Sequence, residues 1–462
     1  MDTFDVVVIG AGPAGENVAG RCADGGLRVA IVERELVGGE CSYWGCIPSK
    51  TLLRPGDVLA AARRVPGAAE AITGPIDVNA VLAQRDRIVS SWSDAGQVPW
   101  LENKGVDLVR GRGRLAGERA VDVELTGGGT RQLTATTAVV LATGTGPAMP
   151  PIPGLSEAKP WDNRAVTAMK AVPRRLLVLG GGSIGAEMAQ AVRRLGGDEV
   201  TVIEGSDRLL AREEPFAGAE VRAAFEAEGM KVVTGVQAVE VRGGDGSPVT
   251  VVLDDGSEHT GDELLVAVGR RPSTGDLGLD SVGLEPGTYV VVDDHLRANG
   301  VAGSWLYAVG DCNGRALLTH MGKYQARIAG DVILGKEITA LADHTIVPRV
   351  TFTDPQVCAV GLTEAQAREK GIDTRVVTFP TGGVSGAATL GNGIEGTSQL
   401  VVDAPRRLIV GATFTGPGVQ ELLHSATVAI AGEVTLDRLW HAVPSFPTVS
   451  EVWLRLLEAY GL

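Results

Sequence analysis

Two closely spaced cysteines have the clearest means of doing chemistry in this sequence. Cys41 and Cys46 lie in the segment GECSYWGCIPSK. Five residues of a regular α-helix rise about 7.5 Å, whereas a disulfide needs Cα atoms closer than roughly 6.8 Å. The two sulfurs can therefore meet only if the backbone turns between them, and Gly45 makes such a turn easy.

The residues after the second cysteine predict a helix that activates the pair. Pro48 suits the first turn of a helix starting near Cys46, because its missing N–H needs no partner there. The N-terminal end of that helix favours a thiolate, and Lys50 shares a helix face with Cys46. The pattern predicts a redox-active dithiol in an electropositive setting.

A second informative feature is an internal repeat. DVVVIGAGPAG and LLVLGGGSIG are both apolar strands that run into G-x-G-x-x-G, and each is followed by a helical stretch and a strand ending in glutamate. In such a unit the glycines admit a pyrophosphate beside the helix N-terminus, and the acid binds ribose hydroxyls. Two dinucleotide sites are predicted, and they suggest an electron relay. Their residues are Gly10, Gly12, Gly15 and Glu33 in the first, and Gly180, Gly182, Gly185 and Glu204 in the second.

Composition limits the class of protein. The 462 residues suggest roughly two to four domains, and the net charge of −14 argues against nucleic acid or an anionic membrane as a partner. No stretch approaches the ~20 apolar residues of a membrane span, and the first residues lack the basic start of a signal peptide. Five cysteines are too few and odd in number for a disulfide scaffold, so we expect a cytoplasmic protein with one working dithiol. The other three, expected to be packing residues, are Cys22, Cys312 and Cys358.

Between and beyond the repeats, apolar runs and breakers outline further elements. A proline-rich stretch at 147–153 predicts a hinge, and the change of pattern after about 347 predicts a separate α+β domain. Residues 55–105 are expected to be helical and surface-facing. Further predicted strands are 138–146, 264–269 and 306–311, and further predicted helices are 363–370 and 420–431.

Together these features resemble the pyridine nucleotide–disulfide oxidoreductases, the family of dihydrolipoamide dehydrogenase, glutathione reductase and mercuric reductase. The segment G-G-x-C-x4-C-I-P-S-K carries the resemblance most specifically, and the likeness covers nearly the whole chain. It implies an α/β fold with two Rossmann-like dinucleotide-binding domains and a C-terminal α+β dimerisation domain. The implied division is an FAD domain at 1–148 resumed at 272–342, an NAD(P) domain at 149–271, and an interface domain at 343–462.

The resemblance also implies roles for individual residues. Cys41 would be the interchange thiol that attacks the substrate, and Cys46 the thiol against the flavin ring. Lys50 would approach the flavin and pair with Glu187, and no metal site is expected. The remaining implied cofactor contacts are Thr143 and Gly144 along the FAD pyrophosphate, Asp311 at the ribityl chain, Gly113 at the adenine end, and Gly269 on the NAD(P) side.

The acid of the second repeat bears on the choice of nicotinamide cofactor. A carboxylate at Glu204 accepts from a ribose 2′-hydroxyl but repels a 2′-phosphate, which favours NADH over NADPH. Arg208 and Arg212 lie nearby in the sequence and would offset that repulsion if they turned toward the site.

The C-terminal segment departs from the family pattern H-P-T-x-x-E. Glu451 is present, but the histidine is replaced by Phe446, which cannot move a proton. General acid–base catalysis, worth roughly 10²–10⁴-fold, is therefore missing at that position. Three explanations stay open: His441 takes over, the acceptor needs no protein acid because its leaving group is a low-pKa thiol, a metal or a quinone, or the dithiol shuttles electrons slowly.

The sequence thus favours a homodimeric FAD enzyme that passes electrons from NADH to a Cys41–Cys46 disulfide and on to a small-molecule or protein disulfide. An alternative is an NAD(P)H diaphorase or quinone reductase in which the dithiol is secondary. A third is a dihydrolipoamide dehydrogenase-like component of a multienzyme assembly. Mercury reduction is disfavoured, because the sequence has no C-terminal cysteine pair.

Overall fold

The chain forms two compact units, each assembled from separated segments of sequence. The computed structural model describes residues 2–462. The first unit comprises the chain up to Pro48, Arg85–Ala148 and Arg270–His344, and the second comprises Ser49–Gln84, Met149–Gly269 and Thr345–Leu462. The three-domain division expected from the sequence stays a prediction.

The β-strands occur throughout both units. In chain order they are β1 (Asp2–Ile9), β2 (Val29–Glu33), β3 (Asp107–Leu115), β4 (Ala120–Leu125), β5 (Thr130–Leu141), β6 (Thr145–Pro147), β7 (Arg175–Leu179), β8 (Glu199–Glu204), β9 (Lys231–Thr234), β10 (Ala238–Gly243), β11 (Val249–Leu253), β12 (Glu258–Gly261), β13 (Glu263–Val266), β14 (Arg270–Pro272), β15 (Leu306–Ala308), β16 (Arg349–Thr351), β17 (Gln356–Gly361), β18 (Thr374–Pro380), β19 (Thr397–Asp403) and β20 (Leu408–Gly416).

The helices vary from one turn to five. In chain order they are α1 (Pro13–Asp24), α2 (Gly39–Tyr43), α3 (Cys46–Arg64), α4 (Val78–Ile88), α5 (Val98–Asn103), α6 (Asn163–Thr167), α7 (Ser183–Arg194), α8 (Pro215–Ala227), α9 (Thr319–Ile333), α10 (Ala342–Thr345), α11 (Glu364–Glu369), α12 (Ser385–Ala388), α13 (Leu423–Ala431), α14 (Leu436–Leu439) and α15 (Val452–Tyr460). Short 3₁₀-type turns lie at Ala69–Ala71, Ser90–Trp92, Leu279–Val282, Gly310–Asn313, Thr381–Gly383, Val419–Glu421 and Val449–Glu451.

The first unit is built on a six-stranded sheet. Strand β1 lies between β2 and β5 and is parallel to both, β3 extends the sheet beyond β2, and β15 extends it beyond β5. Strand β4 joins β3 to β5 in antiparallel fashion. Val6, Val7 and Val8 of β1 are fully buried, which explains the unbroken apolar run that precedes the first glycine turn. Strands β6 and β14 form a separate antiparallel pair.

The second unit contains three sheets. A parallel sheet in the order β13-β7-β8-β9 carries the second glycine turn, and β10, β11 and β12 form an antiparallel meander. The C-terminal part forms an antiparallel sheet in the order β16-β17-β20-β19-β18. Helix α11 begins with a capping box, in which the Thr363 hydroxyl accepts from the Gln366 N–H and the Gln366 side chain accepts from the Thr363 N–H.

The predicted elements are present, with shifted ends. The strand expected at 138–146 ends at Leu141, and the one expected at 306–311 ends at Ala308 before a 3₁₀ turn. The segment 55–105 is largely helical, but its expected surface position is wrong for one face of α4. Val81 and Leu82 are buried in the hydrophobic core of the second unit, because α4 is amphipathic and turns its apolar face inward. Cys22, Cys312 and Cys358 are fully buried, as expected of packing residues.

Candidate active site

The two cysteines lie in the first unit, on either side of the short connection between helices α2 and α3. Helix α2 ends at Tyr43 and α3 begins at Cys46, so the helical path is interrupted at Trp44 and Gly45, between the two cysteines, as the spacing requires. A Cβ atom on Gly45 would lie 3.1 Å from the Glu40 carbonyl oxygen and 3.4 Å from the Cys41 Cα. Glycine is therefore favoured at this position by close packing. Cys41 and Cys46 are not joined by a disulfide in the structure.

The two sulfurs interact directly, and their environments differ. The pKa of Cys41 is raised above its usual value, first by a hydrogen bond to Cys46 and then by burial. The positive charge of Lys323, on α9, and a hydrogen bond to Thr319 oppose that rise. The sequence predicted a thiolate-favouring setting for the pair as a whole, but for Cys41 the local interactions act in the opposite direction. The interactions that raise the pKa of Cys41 favour the protonated form of this thiol.

A helix N-terminus supports charge on the second cysteine. Cys46 Sγ lies 3.3 Å from the Oγ1 of Thr319, and Thr319 is the first residue of the 15-residue helix α9. The hydroxyl can donate to a thiolate, and the helix dipole is positive at this end.

Lys50 and Glu187 form a salt bridge inside the second unit. Lys50 Nζ lies 2.7 Å from Glu187 Oε2, and the other carboxylate oxygen accepts from the Phe352 backbone N–H at 3.0 Å. The Lys50 ammonium also lies 4.6 Å from the centre of the Phe352 ring. Glu187 is buried on α7, so the lysine is directed by two contacts, with the Glu187 carboxylate and with the Phe352 ring.

The first glycine turn has the geometry of a phosphate-binding loop. Gly10 has φ of +101°, which favours glycine, and a Cβ on Gly15 would lie 1.9 Å from the Gly10 carbonyl oxygen. A Cβ on Gly12 would meet nothing within 4 Å, so open space lies before the N-terminus of α1. No side chain caps that helix end, and its free N–H groups suit a pyrophosphate.

The acid at the end of β2 is tied to the same turn. The Glu33 Oε2 accepts from the Ala11 N–H at 2.7 Å, and its Oε1 accepts from the Glu35 N–H at 2.7 Å. Burial raises the pKa of Glu33. A carboxylate has about four lone-pair sites, so both oxygens keep capacity to accept from ribose hydroxyls.

The remaining residues expected around FAD occupy the first unit. Asp311 Oδ2 accepts from Thr145 Oγ1 at 2.8 Å, and Arg270 donates to the same Thr145 hydroxyl at 2.6 Å. Burial raises the pKa of Asp311. Gly144 has φ of +68° and, like Gly12, open space where a Cβ would point, so these residues fit a dinucleotide cofactor. Thr143 precedes it in the same turn after β5, while Gly113 packs in β3 against Ile9 and Val32.

The second glycine turn repeats the geometry of the first. Gly180 has φ of +107°, and Gly182 faces open space. A Cβ on Gly185 would lie 1.9 Å from the Gly180 carbonyl oxygen. Glu204 accepts from the Gly181 N–H at 2.6 Å and from the Ser206 N–H at 2.7 Å. Gly269, after β13, has φ of +137° with open space beside it.

Arg208, four residues after Glu204, is bound within its own loop and not to Glu204. Arg208 Nη1 lies 3.2 Å from Asp207 Oδ1, and its Nη2 donates to the Ala211 carbonyl at 2.9 Å. Arg212 is exposed. The Arg208 guanidinium is therefore held by its own loop.

At the C-terminal end of the second unit, the Phe446 side chain is 74% exposed. Glu451 is buried, and its Oε1 accepts from Arg455 Nη2 at 2.6 Å, so the carboxylate is engaged by a cation one helical turn away. His441 is exposed just after α14, and its backbone N–H donates to the Arg438 carbonyl.

Three residues of these sites were not singled out from the sequence. Thr319, Phe352 and Arg270 reach their partners from distant parts of the chain, so no spacing within one segment could have pointed to them. Within residues 2–462, no group of three or more His, Cys, Asp or Glu side chains is arranged to hold a metal ion. No helix in that range is long and apolar enough to cross a membrane.

Comparison with known families decides the identity of the fold. The family model described as pyridine nucleotide-disulphide oxidoreductase matches residues 4–326, and that family's dimerisation domain matches residues 347–456. The chain belongs to the pyridine nucleotide-disulphide oxidoreductases. It is an FAD-dependent, NAD(P)H-using flavoprotein disulfide oxidoreductase with a mixed α/β fold, as the sequence motifs predicted.

Curated relatives of this oxidoreductase include two functional types. It is 35% identical over 465 residues to a dihydrolipoyl dehydrogenase of Thermus scotoductus, covering 99% of this chain and 98% of the relative. It is 31% identical over 453 residues to a mercuric reductase of Staphylococcus aureus, covering 97% of this chain and 81% of the relative.

Solved structures show the same architecture. The HOCl-induced flavoprotein disulfide reductase RclA from Escherichia coli, in a Cu(II) complex, superposes with a TM-score of 0.86 at 25% identity, covering 99% of both chains. LpdA from Mycobacterium tuberculosis superposes with a TM-score of 0.87 at 25% identity, covering 100% of both chains.

Proposed function

We propose that this oxidoreductase uses Cys41 and Cys46 as its redox-active dithiol and reduces an external disulfide whose leaving thiol has a low pKa. The observation that carries the proposal is the direct contact between the two thiols at the break between α2 and α3, with Thr319 beside Cys46. Bound FAD would supply the two-electron carrier between nicotinamide and dithiol. Lys50, held by Glu187, is proposed as the cation at the flavin.

Thiol–disulfide exchange follows from the chain's own residues. Cys41 gives up its proton to water, and the thiolate so formed attacks one sulfur of the acceptor disulfide, forms a mixed disulfide and releases the first thiolate. The Cys46 thiolate then attacks Cys41 Sγ, releases the second thiolate and closes the Cys41–Cys46 bond. The acceptor gains two electrons and takes two protons from the dithiol or from water.

The missing acid at Phe446 supports the choice of acceptor. No side chain at this position can protonate the departing thiolate, so the acceptor must release a thiolate that is stable near neutral pH. His441 does not support a substitute role, because nothing in the second unit orients its imidazole.

NADH is the proposed electron donor in preference to NADPH. Glu204 places negative charge beside the second glycine turn, and Asp207 holds Arg208 away from neutralising it. A 2′-phosphate would be repelled there, whereas a 2′-hydroxyl would donate to the carboxylate.

The proposal includes a homodimer in the cytoplasm. The dimerisation domain supports self-association, as do exposed apolar side chains in that domain, namely Val428, Val443 and Phe446. Reduced thiols and NADH occur together in the cytoplasm. The net charge of −14 disfavours nucleic acid or an anionic membrane as a partner.

A quinone reductase is the second candidate, favoured by the same Phe446. Reduction of a quinone needs no thiol leaving group, so the dithiol would be dispensable. A dihydrolipoyl dehydrogenase-like function, suggested by the Thermus relative, is less well supported because it requires the acid that this chain lacks.

A panel of acceptors assayed with NADH tests the proposal. We expect fast reduction of an aromatic disulfide with a low-pKa thiol and slow reduction of lipoamide, because only the first leaving group needs no protein acid. Turnover of quinones alone would establish the second candidate instead. A purified protein without bound flavin would contradict both.

A further inference from the structure

Behind the turn that carries Asp311 lies a group of buried polar side chains. Gln325 is fully buried, Asn313 is 5% exposed and Asp343 is 9% exposed. All three lie against the hydrophobic core of the first unit, where a polar group is tolerated only if its hydrogen bonds are made. Their partners therefore indicate what they hold in place.

The carbonyl oxygen of Gln325 holds both ends of the Gly310–Asn313 turn. Gln325 Oε1 accepts from the Gly310 backbone N–H at 2.8 Å and from Asn313 Nδ2 at 2.8 Å. Asn313 also donates to the Ala308 carbonyl at 3.1 Å. The turn that contains Asp311 is thus fixed at its first and last residues by one side chain.

The orientation of the Gln325 amide is set by Asp343. Gln325 Nε2 donates to Asp343 Oδ2 at 3.0 Å. A backbone N–H can only donate and a carboxylate accepts, so the amide must turn its oxygen toward Gly310 and its nitrogen toward Asp343. Arg315, which lies 3.4 Å from the same Asp343 oxygen and donates to the Val292 carbonyl at 2.8 Å, secures the carboxylate in turn.

The turn packs closely against the first glycine loop. Gly310 has φ of +74°, and a Cβ there would lie 3.1 Å from the Ala14 Cβ in the first turn of α1. A Cβ on Gly322 of α9 would lie 3.3 Å from the Gly310 Cα and 3.4 Å from the Ala14 Cβ. A displaced Gly310 would therefore disturb Asp311 and the N-terminus of α1 together.

We propose that Gln325, oriented by Asp343, is a positioning residue that sets the affinity of the first unit for FAD by fixing the Gly310–Asp311 turn. The inference rests on the proposed role of this turn and of the first glycine loop in holding FAD. Gln325 reaches the cofactor only through the backbone that it holds.

The chain offers a matched control in Gln190. Gln190 is also fully buried, and it lies on α7 after the second glycine turn. Its amide nitrogen donates to Glu228 Oε1 at 2.8 Å and to the Asp354 carbonyl at 3.0 Å, and its amide oxygen accepts from the Asp354 N–H at 2.7 Å. Q325M and Q190M therefore remove the same side-chain amide from equally buried sites, of which only the first is tied to Asp311.

The measurement is the dissociation constant for FAD, obtained by adding FAD to flavin-stripped protein and following the quenching of flavin fluorescence. We expect Q325M to raise the constant at least about tenfold, because a buried N–H of Gly310 loses its acceptor. Q190M should change it less than about twofold. Equal constants for Q325M and wild type, or an equal rise in both variants, would overturn the inference.

D343N keeps the inference testable if Q325M does not fold. Asparagine retains an acceptor for Gln325 but loses the charge that binds Arg315, so we expect an about threefold weaker FAD complex. An unchanged constant in D343N would then overturn the role of the pair. Failure of the wild-type protein to bind FAD would instead contradict the proposed function, so the two outcomes are separable.

Discussion

Lys50 Nζ and Glu187 Oε2 lie 2.7 Å apart, and the second oxygen of that carboxylate is occupied by the Phe352 backbone N–H. Helices α3 and α7 and the residue after β16 thus meet at one buried carboxylate. The pair joins three segments of the second unit that are distant in sequence, so its loss should affect both stability and the reaction.

E187Q tests this relationship directly. Glutamine can still accept from the Phe352 N–H but no longer neutralises Lys50, so we expect a loss of about 1–3 kcal/mol in the free energy of unfolding. Denaturant unfolding measures it. E226Q is the control, because Glu226 forms an exposed pair with Arg222 on α8, and a surface pair is worth at most about 1 kcal/mol. Equal losses in the two variants would show that the Lys50–Glu187 pair contributes no more to the free energy of unfolding than an exposed pair does.

C46S and C41S test the dithiol. Each should abolish disulfide reduction, because neither serine can take part in exchange, while quinone reduction persists. Anaerobic titration with dithionite should consume twice as much reductant per flavin in the wild type as in either variant. C22S, at a buried cysteine remote from exchange chemistry, is the control and should titrate like the wild type. Equal consumption by all four proteins would remove the dithiol from the reaction.

F446H tests the argument about the missing acid. An imidazole at this exposed position should raise kcat/KM for lipoamide near neutral pH, but by about tenfold or less, well below the ~10²–10⁴-fold of an oriented acid. The reason is that Arg455 holds Glu451, the residue expected to orient the ring. F446H combined with R455M should gain more, and F446L should gain nothing. If neither histidine variant differs from F446L in kcat/KM for lipoamide, the fit of lipoamide to its binding site limits the reaction, and the missing proton donor does not.

The cofactor preference can be measured as the ratio of kcat/KM for NADH to that for NADPH. We expect a ratio of at least about tenfold, from repulsion between Glu204 and a 2′-phosphate. D207N should lower the ratio, because it frees Arg208 to meet the phosphate. D198N, at an exposed pair with Arg174, should leave it unchanged. A wild-type preference for NADPH would contradict the assignment.

Glu16, in the first turn of α1, makes stability depend on pH. Burial raises the pKa of Glu16 to about 7, against the attraction of Lys323. The folded-state pKa lies above the ordinary value of 4.5, so its contribution to stability is full below pH ~4.5 and is lost as the pH rises through about 7. E16Q should therefore be more stable than the wild type at pH ~8 by up to about 3 kcal/mol and nearly equal at pH ~5. The exposed Glu102 provides the control variant E102Q, measured over the same pH range. A constant difference between E16Q and the wild type across this range would contradict the assignment.

The features predicted well from the sequence are those set by local chemistry. The two glycine turns need positive φ at Gly10 and Gly180, and the helix beginning at Cys46 follows from the break that two nearby sulfurs require. The helix predicted at 363–370 is present as α11, and its N-terminus is stabilised by the capping box between Thr363 and Gln366.

The features that the sequence did not reveal depend on tertiary contacts. Thr319 meets Cys46 only because α9 begins beside the dithiol, and Phe352 meets Glu187 only because β16 ends beside α7. The raised pKa of Cys41 has the same origin, since its largest causes are the hydrogen bond to Cys46 and burial. No spacing rule within one segment contains such information.

The glutamates at the ends of β2 and β8 stabilise their neighbouring glycine turns, in addition to their predicted role in binding ribose. Glu204 accepts from the Gly181 N–H, and Glu33 accepts from the Ala11 N–H. Each glutamate therefore connects the end of its strand to the adjacent glycine turn by a hydrogen bond. Replacing Glu204 by an apolar residue to change the coenzyme preference would also remove the hydrogen bonds that hold the second glycine turn, which must bind the coenzyme. Redesign of coenzyme choice in this scaffold should therefore leave the acid in place and alter the loop at Asp207 and Arg208.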